Sequence, residues 1–181
     1  MGRIAGSFPI TLFGVRLEYE KSIEKEIMRI LFVCTDNIGR SVTAEYCLKD
    51  YLAKHNIDGV DVASAGTHAD SDMTGFSMAH FPKLMKLGID ASGHKRRQLS
   101  QELVDCADKI VVFDNSHQGW IRQKFGLNVP LYNEIYINES TEIRVSGPEL
   151  KGTSDDRMIQ LVDYIYSSTP TFWENLKLLS K

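Results

Sequence analysis

Short apolar runs alternate with amphipathic segments along most of this chain. Residues 28–33, MRILFV, form a near-continuous apolar run rich in β-forming side chains, which is typical of a strand buried on both faces. Residues 41–55 instead place apolar side chains at helical spacing. The side chains that share this helical face are Ala44, Cys47, Leu48, Tyr51 and Leu52. The pattern therefore predicts a buried strand followed by an amphipathic helix.

The alternation continues to the end of the chain. Further strands are predicted at 60–66, 109–114 and 129–132, and further helices at 76–89, 100–107, 115–126 and 154–179. Ser100 and Ser154 are expected to cap two of these helices, and Gly126 is expected to end a third. Pro82 should kink or restart the helix in which it lies. Residues 133–147 are expected to be the least regular part of the domain.

Strands that alternate with helices predict an α/β fold. We expect a single doubly wound domain with a four-stranded parallel sheet in the flavodoxin-like order 2-1-3-4 and helices on both faces. This domain is expected to cover residues 28–181, and residues 1–27 to precede it as an extension of unknown role. Ligands of such folds bind at the carboxyl ends of the strands. The loop at residues 34–41 lies at such an end.

Composition narrows the class of protein. The length of 181 residues fits one domain, and the net charge of −3 argues against a nucleic-acid partner. No segment approaches the roughly 20 apolar residues of a membrane span, so no membrane partner is expected. Pro9 interrupts the apolar start of the chain and no small-residue cleavage site follows, which favours an extension over a signal peptide.

The cysteines indicate the compartment. Cys34, Cys47 and Cys106 are widely spaced and form neither a disulfide framework nor a zinc site. This usage suits a reducing compartment, and we expect a cytoplasmic protein. Cys47 and Cys106 lie among apolar residues and are expected to be inert core thiols.

The 34–41 loop, CTDNIGRS, places a cysteine and an arginine where a strand turns into a helix. Backbone N–H groups and the positive end of the helix dipole converge on such a loop and bind an anion. The same environment favours the ionised, nucleophilic form of a thiol. Arg40 can hold two oxygens of a tetrahedral oxyanion, and Ser41 can donate a hydrogen bond to a thiolate. The pattern therefore predicts in-line attack of Cys34 on a bound phosphate.

The loop and several later segments resemble the low-molecular-weight protein tyrosine phosphatase family. The loop of that family reads C-x-G-N-x-C-R-S and is followed by a helix that opens with a small residue and Glu. The segment GIDASGHKRRQL resembles the family's G-I…H-x-A-R-x-L motif, and VSGPEL falls where the family has its Asp-Pro loop. The matching segments occur in the family's order at residues 34–41, 64–67, 88–99, 107–114 and 145–150. The resemblance implies a phosphatase that needs no metal or other cofactor.

The resemblance also implies roles for individual residues. Cys34 would be the nucleophile, Arg40 would hold the transition state, and Ser41 would support the thiolate. Asn37 would keep the loop in a left-handed turn, braced by Ser64 and His94. The residues that surround the phosphate would be Thr35, Asp36, Asn37, Ile38, Gly39 and Arg40.

The chain departs from the family at the general acid. Gly147 stands where the family has the Asp of its Asp-Pro loop, and glycine cannot donate a proton to a leaving group. Glu149 is the best substitute acid. The weaker candidates are Asp70, Asp155 and Asp156.

Two further departures lie inside the loop. Asp36 replaces a glycine, and its carboxylate would repel a phosphate unless it points out to solvent; pointing inward, it would weaken phosphate binding or require a cationic group on the substrate. Gly39 replaces a second cysteine, so the thiol pair that can form a protective disulfide is absent and Cys34 should be open to overoxidation.

The pocket walls leave the substrate open. Tyrosine-specific members carry aromatic residues at positions that correspond to 149–150 and about 70, where this chain has none. Ile38 in turn favours the tyrosine phosphatases over the phosphoarginine phosphatase branch, which has Thr there. Arsenate reductase relatives need further cysteines after the third strand, and VVFDNSHQGW has none.

We therefore expect a slow phosphatase that forms a phospho-Cys34 intermediate with phosphotyrosine or with small aryl or acyl phosphates. Its partners would be a phosphorylated protein or a small phosphate ester, and phosphate, sulfate or vanadate would bind in the 34–41 loop. The alternative is a degenerate phosphatase that binds phosphate or a phosphoprotein with little turnover. The sequence leaves the oligomeric state open.

Overall fold

A computed structural model describes residues 27–179, so of the predicted extension at 1–27 all but Ile27 lies outside the described residues. Three strands, β1 (Met28–Cys34), β2 (Val60–Gly66) and β3 (Lys109–Val112), form a parallel sheet in the order β2-β1-β3. The helices of this part of the chain are α1 (Arg40–Lys54), α2 (His80–Lys86), α3 (Gln101–Cys106), α4 (Asn115–Phe125), α5 (Tyr132–Ile137) and α6 (Ser154–Leu178). The α/β class and the parallel sheet are confirmed.

The predicted fourth strand is wrong. Within residues 27–179, the segment 129–132 contributes a single bridge, in which Leu131 pairs with Val112. Pro130 accepts a hydrogen bond from the N–H of Val112 at 3.1 Å but has no N–H to return. The N–H of Leu131 is bonded to the Glu134 carboxylate at 2.8 Å, because Leu131 already caps α5. The chain therefore enters a helix before a fourth strand can form.

Local signals decide where the other helices begin and end. Ser100 caps α3 and Gly126, with φ 71, ends α4, as the sequence predicts. Thr153, not Ser154, caps α6, because its hydroxyl accepts from the N–H of Asp156 at 3.2 Å and the Asp156 carboxylate accepts in return. The helix predicted at 76–89 is shorter, and Pro82 lies in its first turn, where a missing N–H is tolerated. No described helix is long and apolar enough to cross a membrane.

Each face of the sheet is covered by helices. On one face, α1, α5 and α6 pack on an aromatic group in which the rings of Tyr132 and Phe172 are stacked with centroids 4.3 Å apart. The Phe32 ring lies 5.7 Å from that of Phe172, which joins the central strand to α6. On the other face, α3 and α4 pack on apolar residues of all three strands. The prediction of inert core thiols is confirmed for Cys47, where burial raises the thiol pKa to about 12, but Cys106 is exposed at the end of α3.

Replacement of Phe172 tests this aromatic core. Phe172 is 1% exposed, whereas Leu178 in the same helix is 81% exposed. We expect Phe172→Ala to lower the free energy of unfolding by about 3–5 kcal/mol, and Leu178→Ala to change it by less than about 0.5 kcal/mol. Urea unfolding measures both values, and similar small changes in the two variants would contradict the assigned packing.

Candidate active site

The 34–41 loop joins the carboxyl end of the central strand to the start of α1. Cys34 is the last residue of β1 and is 2% exposed, and Arg40 is the first residue of α1. Helix α1 has no side-chain cap and no acidic residue in its first turn. The free N–H groups and the positive end of its dipole are therefore available to an anion at the loop.

Asn37 organises the interior of the loop. Its backbone has φ 53, so the predicted left-handed turn is present. The side chain is fully buried, and its Nδ2 donates to the hydroxyls of Ser41 at 3.1 Å and Ser64 at 2.7 Å. Its Oδ1 accepts from the backbone N–H of Arg97 at 2.8 Å. All the hydrogen-bonding capacity of the two amide hydrogens is therefore used to hold the turn.

Ser41 connects this network to the thiol. Its hydroxyl oxygen lies 3.0 Å from the Sγ of Cys34. Because Asn37 donates to that oxygen, the hydroxyl hydrogen of Ser41 is free to point at the sulfur. Such a hydrogen bond favours a thiolate over a thiol.

Two further groups support Asn37 and Ser64. The His94 Nε2 lies 3.2 Å from the carbonyl of Asn37, and burial lowers the pKa of His94, which favours a neutral ring. Glu45, only 3% exposed, accepts from the Ser64 hydroxyl at 2.5 Å. The structure thus brings Ser64 and His94 to the loop, as the resemblance implies. It adds Glu45, which the sequence reading did not assign, although its spacing on α1 from Ser41 indicates the same helix face.

Gly66 explains why β2 ends in a glycine beside the loop. A Cβ at this position would lie 2.6 Å from the carbonyl oxygen of Thr35 and 2.9 Å from the amide nitrogen of Asn37. Any side chain would therefore push the loop away from β2.

Arg40 is held by groups that lie far from it in the sequence. Its guanidinium donates to the carboxylate of Asp114 at 2.6 Å and to the hydroxyl of Thr35 at 3.2 Å. The Nε2 of His117 lies 3.0 Å from the same hydroxyl of Thr35. Asp114 and His117 begin α4, after β3, and the sequence reading missed both. The geometry fixes the direction of the Arg40 guanidinium from two sides.

The ionisation of these groups follows from their surroundings. Burial by itself would raise the pKa of Asp114, but the hydrogen bond from Ser116 and nearby positive charge, including Arg40, lower it to about 2. Burial, and then the charge of Arg40, lowers the pKa of His117 to about 4. Near neutral pH, the site therefore holds an ionised carboxylate, a guanidinium and a neutral imidazole.

These residues line a cleft of about 670 Å³, called here the Cys34 cleft. The 34–41 loop forms one part of it, the segment 71–77 forms a second, and residues from 144–146 and from the start of α6 complete it. Gly39 also has a physical reason here, because a Cβ at this position would lie 3.1 Å from two atoms of Met158. A second loop cysteine would therefore require Met158 to shift.

The candidate acids lie in different places. Glu149 and Gly147 line a neighbouring cleft of about 610 Å³, not the Cys34 cleft. The Glu149 carboxylate lies against the α carbon of Gly147, in the space that a Cβ at position 147 would occupy. Asp155 accepts from the Ser77 hydroxyl at 2.6 Å, and Asp156 belongs to the cap of α6. The carboxylate of Asp36 is turned to the hydroxyl of Ser71, which donates to it at 2.6 Å.

Fold and site together define a class of protein: a doubly wound α/β domain that presents a cysteine and an arginine in an anion-binding loop at the end of its central strand. The family model described as low molecular weight phosphotyrosine protein phosphatase matches residues 29–179. The chain belongs to this family.

Known proteins support this membership. The low molecular weight protein-tyrosine-phosphatase Ptp of Acinetobacter johnsonii is 37% identical over 100 residues, which cover 54% of this chain and 65% of the relative. The match therefore spans slightly less than two thirds of that relative's length. YfkJ of Bacillus subtilis strain 168, a protein of the same description, is 31% identical over 140 residues, 72% of this chain and 86% of its own.

A solved structure gives the corresponding likeness in three dimensions. The arginine phosphatase YwlE, in a mutant with a phosphorylated active-site serine, superposes with a TM-score of 0.69 at 26% identity. The superposition covers 83% of this chain and 96% of YwlE.

Two buried histidines predict acid sensitivity. Burial lowers the pKa of His80 and of His117 to about 4, and among residues 27–179 neither ring nitrogen of His80 has a hydrogen-bond partner. In the unfolded chain both should titrate near 6.5, so between these values the unfolded state binds more protons and stability falls as the pH falls. We expect each histidine to remove up to about 2 kcal/mol of unfolding free energy between pH 7 and pH 5.

Urea unfolding at pH 7 and pH 5 measures this loss. The variant His80→Leu keeps an apolar side chain at the site and should lose less stability on acidification than the unaltered chain. His55→Gln, at an exposed position, is the matched control and should behave like the unaltered chain. Equal losses in all three proteins would show that His80 does not cause the acid sensitivity.

Proposed function

We propose that the protein is a cysteine-dependent phosphatase that hydrolyses phosphomonoesters through a phospho-Cys34 intermediate. The observation that carries this proposal is the contact of 3.0 Å between Cys34 Sγ and Ser41 Oγ at the open N-terminus of α1. It places a supported thiol where the loop favours a phosphate dianion. The family membership and the phosphorylated active-site serine of the YwlE mutant agree with this chemistry.

The proposed reaction has two displacements at phosphorus. The Cys34 thiolate attacks the phosphorus atom, an S–P bond forms, and the P–O bond to the leaving group breaks with its electron pair going to that oxygen. Arg40 and the amides of the 34–41 loop, Thr35 to Arg40, hold the three remaining phosphate oxygens and neutralise their charge, so no metal or other cofactor is invoked. Water then attacks the phospho-Cys34 intermediate, which releases inorganic phosphate and returns the thiolate.

The supply of a proton to the leaving group limits the proposed rate. Of the two carboxylates that line the Cys34 cleft, Asp114 has a pKa of about 2 and is ionised, and Asp36 accepts a hydrogen bond from Ser71. General acid catalysis typically supplies a factor of ~10²–10⁴. We therefore propose slow turnover and substrates whose leaving groups need little protonation, namely phosphotyrosine or small aryl or acyl phosphates.

A degenerate phosphatase is the second candidate. It would bind phosphate or a phosphoprotein in the 34–41 loop and turn over little. The observation that favours it is the position of Gly147 and Glu149 in the neighbouring cleft, because no acid from this segment then faces the substrate.

Turnover of p-nitrophenyl phosphate separates the two candidates. Its leaving group is good and partly bypasses the missing acid, so we expect measurable hydrolysis between pH 5 and pH 7. Cys34→Ser, the matched control, should lose it because a hydroxyl is a far weaker nucleophile at this pH. Hydrolysis no faster than that of Cys34→Ser would reject the enzyme and leave the binding module.

Glu149 is the proposed substitute acid, because its carboxylate fills the space where the side chain of a family acid would begin. If it donates the proton, Glu149→Gln should slow phenyl phosphate at least ~10-fold while p-nitrophenyl phosphate changes much less, since only the poorer leaving group depends on the acid. The exposed Glu102→Gln on α3 is the matched control and should alter neither rate. Equal slowing of both substrates by Glu149→Gln would contradict the assignment.

A further inference from the structure

The segment 71–77, between β2 and α2, is fastened at both ends. At one end the Ser77 hydroxyl donates to Asp155, in the first turn of α6, at 2.6 Å. At the other end, Ser71 is bonded to the 34–41 loop through Asp36. Between these anchors, Met73, Thr74, Gly75 and Phe76 line the Cys34 cleft. The segment is thus a wall of the cleft that spans from the loop to α6.

The anchor at Ser71 is a three-residue network. The Ser71 hydroxyl donates to Asp36 Oδ1 at 2.6 Å and accepts from Arg96 Nη2 at 2.8 Å. The same guanidinium donates from Nη1 to the carbonyl of Ser71 and from Nε to the carbonyl of Asp36, each at 2.9 Å. One arginine therefore bonds both the loop and the wall. We call Asp36, Ser71 and Arg96 the wall anchor.

Two departures from the family pattern meet in the wall anchor. Asp36 stands where the family loop has glycine, and Arg96 stands where the segment H-x-A-R-x-L has alanine. Neither glycine nor alanine has a side chain that can make these bonds. The hydroxyl of Ser71 holds the Asp36 carboxylate at the wall, and the nearby guanidinium offsets its charge, which reduces the repulsion of a phosphate.

The wall presents apolar surface to the cleft. Phe76 is 52% exposed even though it is a large aromatic residue, and it lines the cleft together with Met73. Val145 and Met158 contribute apolar side chains to the same cleft. The positions after Pro148 supply no aromatic residue, and Glu149 and Leu150 line the neighbouring cleft instead. An exposed aromatic side chain in a cleft beside an anion-binding loop fits a ligand with a phosphate and a flat apolar group.

We propose that Asp36, Ser71 and Arg96 are positioning residues that fasten the wall to the 34–41 loop, so that Met73 and Phe76 bind the aryl group of a phosphomonoester. This assignment rests on the proposed function for the place of the phosphate, and it names the substrate class as aryl rather than acyl or alkyl phosphates. The phosphate contacts the loop, and the wall contacts only the organic group.

Two ligands separate the loop from the wall. Inorganic phosphate reaches only the loop, whereas benzylphosphonate carries a phenyl ring as well, and isothermal titration calorimetry measures both affinities without turnover. In Phe76→Ala we expect the ratio of benzylphosphonate to phosphate affinity to fall about 3- to 10-fold, because an aromatic contact is lost. Met78→Ala is the matched control, since Met78 is 41% exposed near the same segment but does not line the cleft, and it should leave the ratio unchanged.

The wall anchor is tested in the same way. Ser71→Ala removes the hydroxyl that joins Asp36 to Arg96, and the ratio should fall about 3- to 10-fold as the wall loosens. Ser71→Thr keeps a hydroxyl and should restore the ratio. A freed Asp36 carboxylate would weaken both ligands alike, and the ratio cancels that effect. If Ser71→Ala does not fold, Arg96→Lys provides a second variant, because it retains the charge but not the fork of donors.

The outcomes decide between the two levels of the proposal. Phosphate binding by the unaltered chain with an unchanged ratio in Phe76→Ala would overturn the aryl-binding wall and leave the proposed function standing. Equal weakening of both ligands in Ser71→Ala, without rescue by Ser71→Thr, would reduce the wall anchor to structural support and overturn its positioning role. No phosphate binding by the unaltered chain would overturn the proposed function and this inference with it.

Discussion

The left-handed backbone of Asn37 constrains the rest of the site. A residue other than glycine adopts this conformation at a cost, and here the buried amide offsets that cost with bonds to Ser41, Ser64 and the Arg97 N–H. Because Ser41 accepts from Asn37, its own hydrogen is left for the Cys34 sulfur. The side chain that fixes the turn therefore also orients the hydroxyl beside the thiol. The geometry of nucleophile and loop is set together.

Charge in the cleft is arranged around Arg40. Its guanidinium is paired with Asp114, whose pKa of about 2 keeps the carboxylate ionised across the neutral range. This pairing holds the arginine in place but removes Asp114 as a proton donor. With Gly147 in the position of the family acid, the cleft favours binding and attack on phosphorus over protonation of the leaving group. The arrangement links one missing carboxylate to the choice of substrate.

Sequence patterns predicted those parts of the protein whose causes are local. The buried strand β1, the amphipathic α1 and the loop between them follow from hydrophobic periodicity and short-range order. Asn37, Ser64 and His94 lie together as the resemblance implied. Asp114 and His117 were missed because their contacts with Arg40 and Thr35 join positions more than 70 residues apart. The fourth strand was wrong because VPLY has strand-like composition, while Pro130 and the Glu134 bond to Leu131 act against pairing.

The amino-acid sequence by itself determined the class of the fold, the cysteine and arginine of the loop, and the absence of the family acid at position 147. These depend on residue type and on spacing within single elements. Only the tertiary structure decided that Asp36 turns to Ser71, that Arg96 joins the loop to the wall, and that Phe76 lines the cleft. The physical reason is that a hydrogen bond or a cleft depends on distances between separate elements, and packing of the whole domain sets those distances.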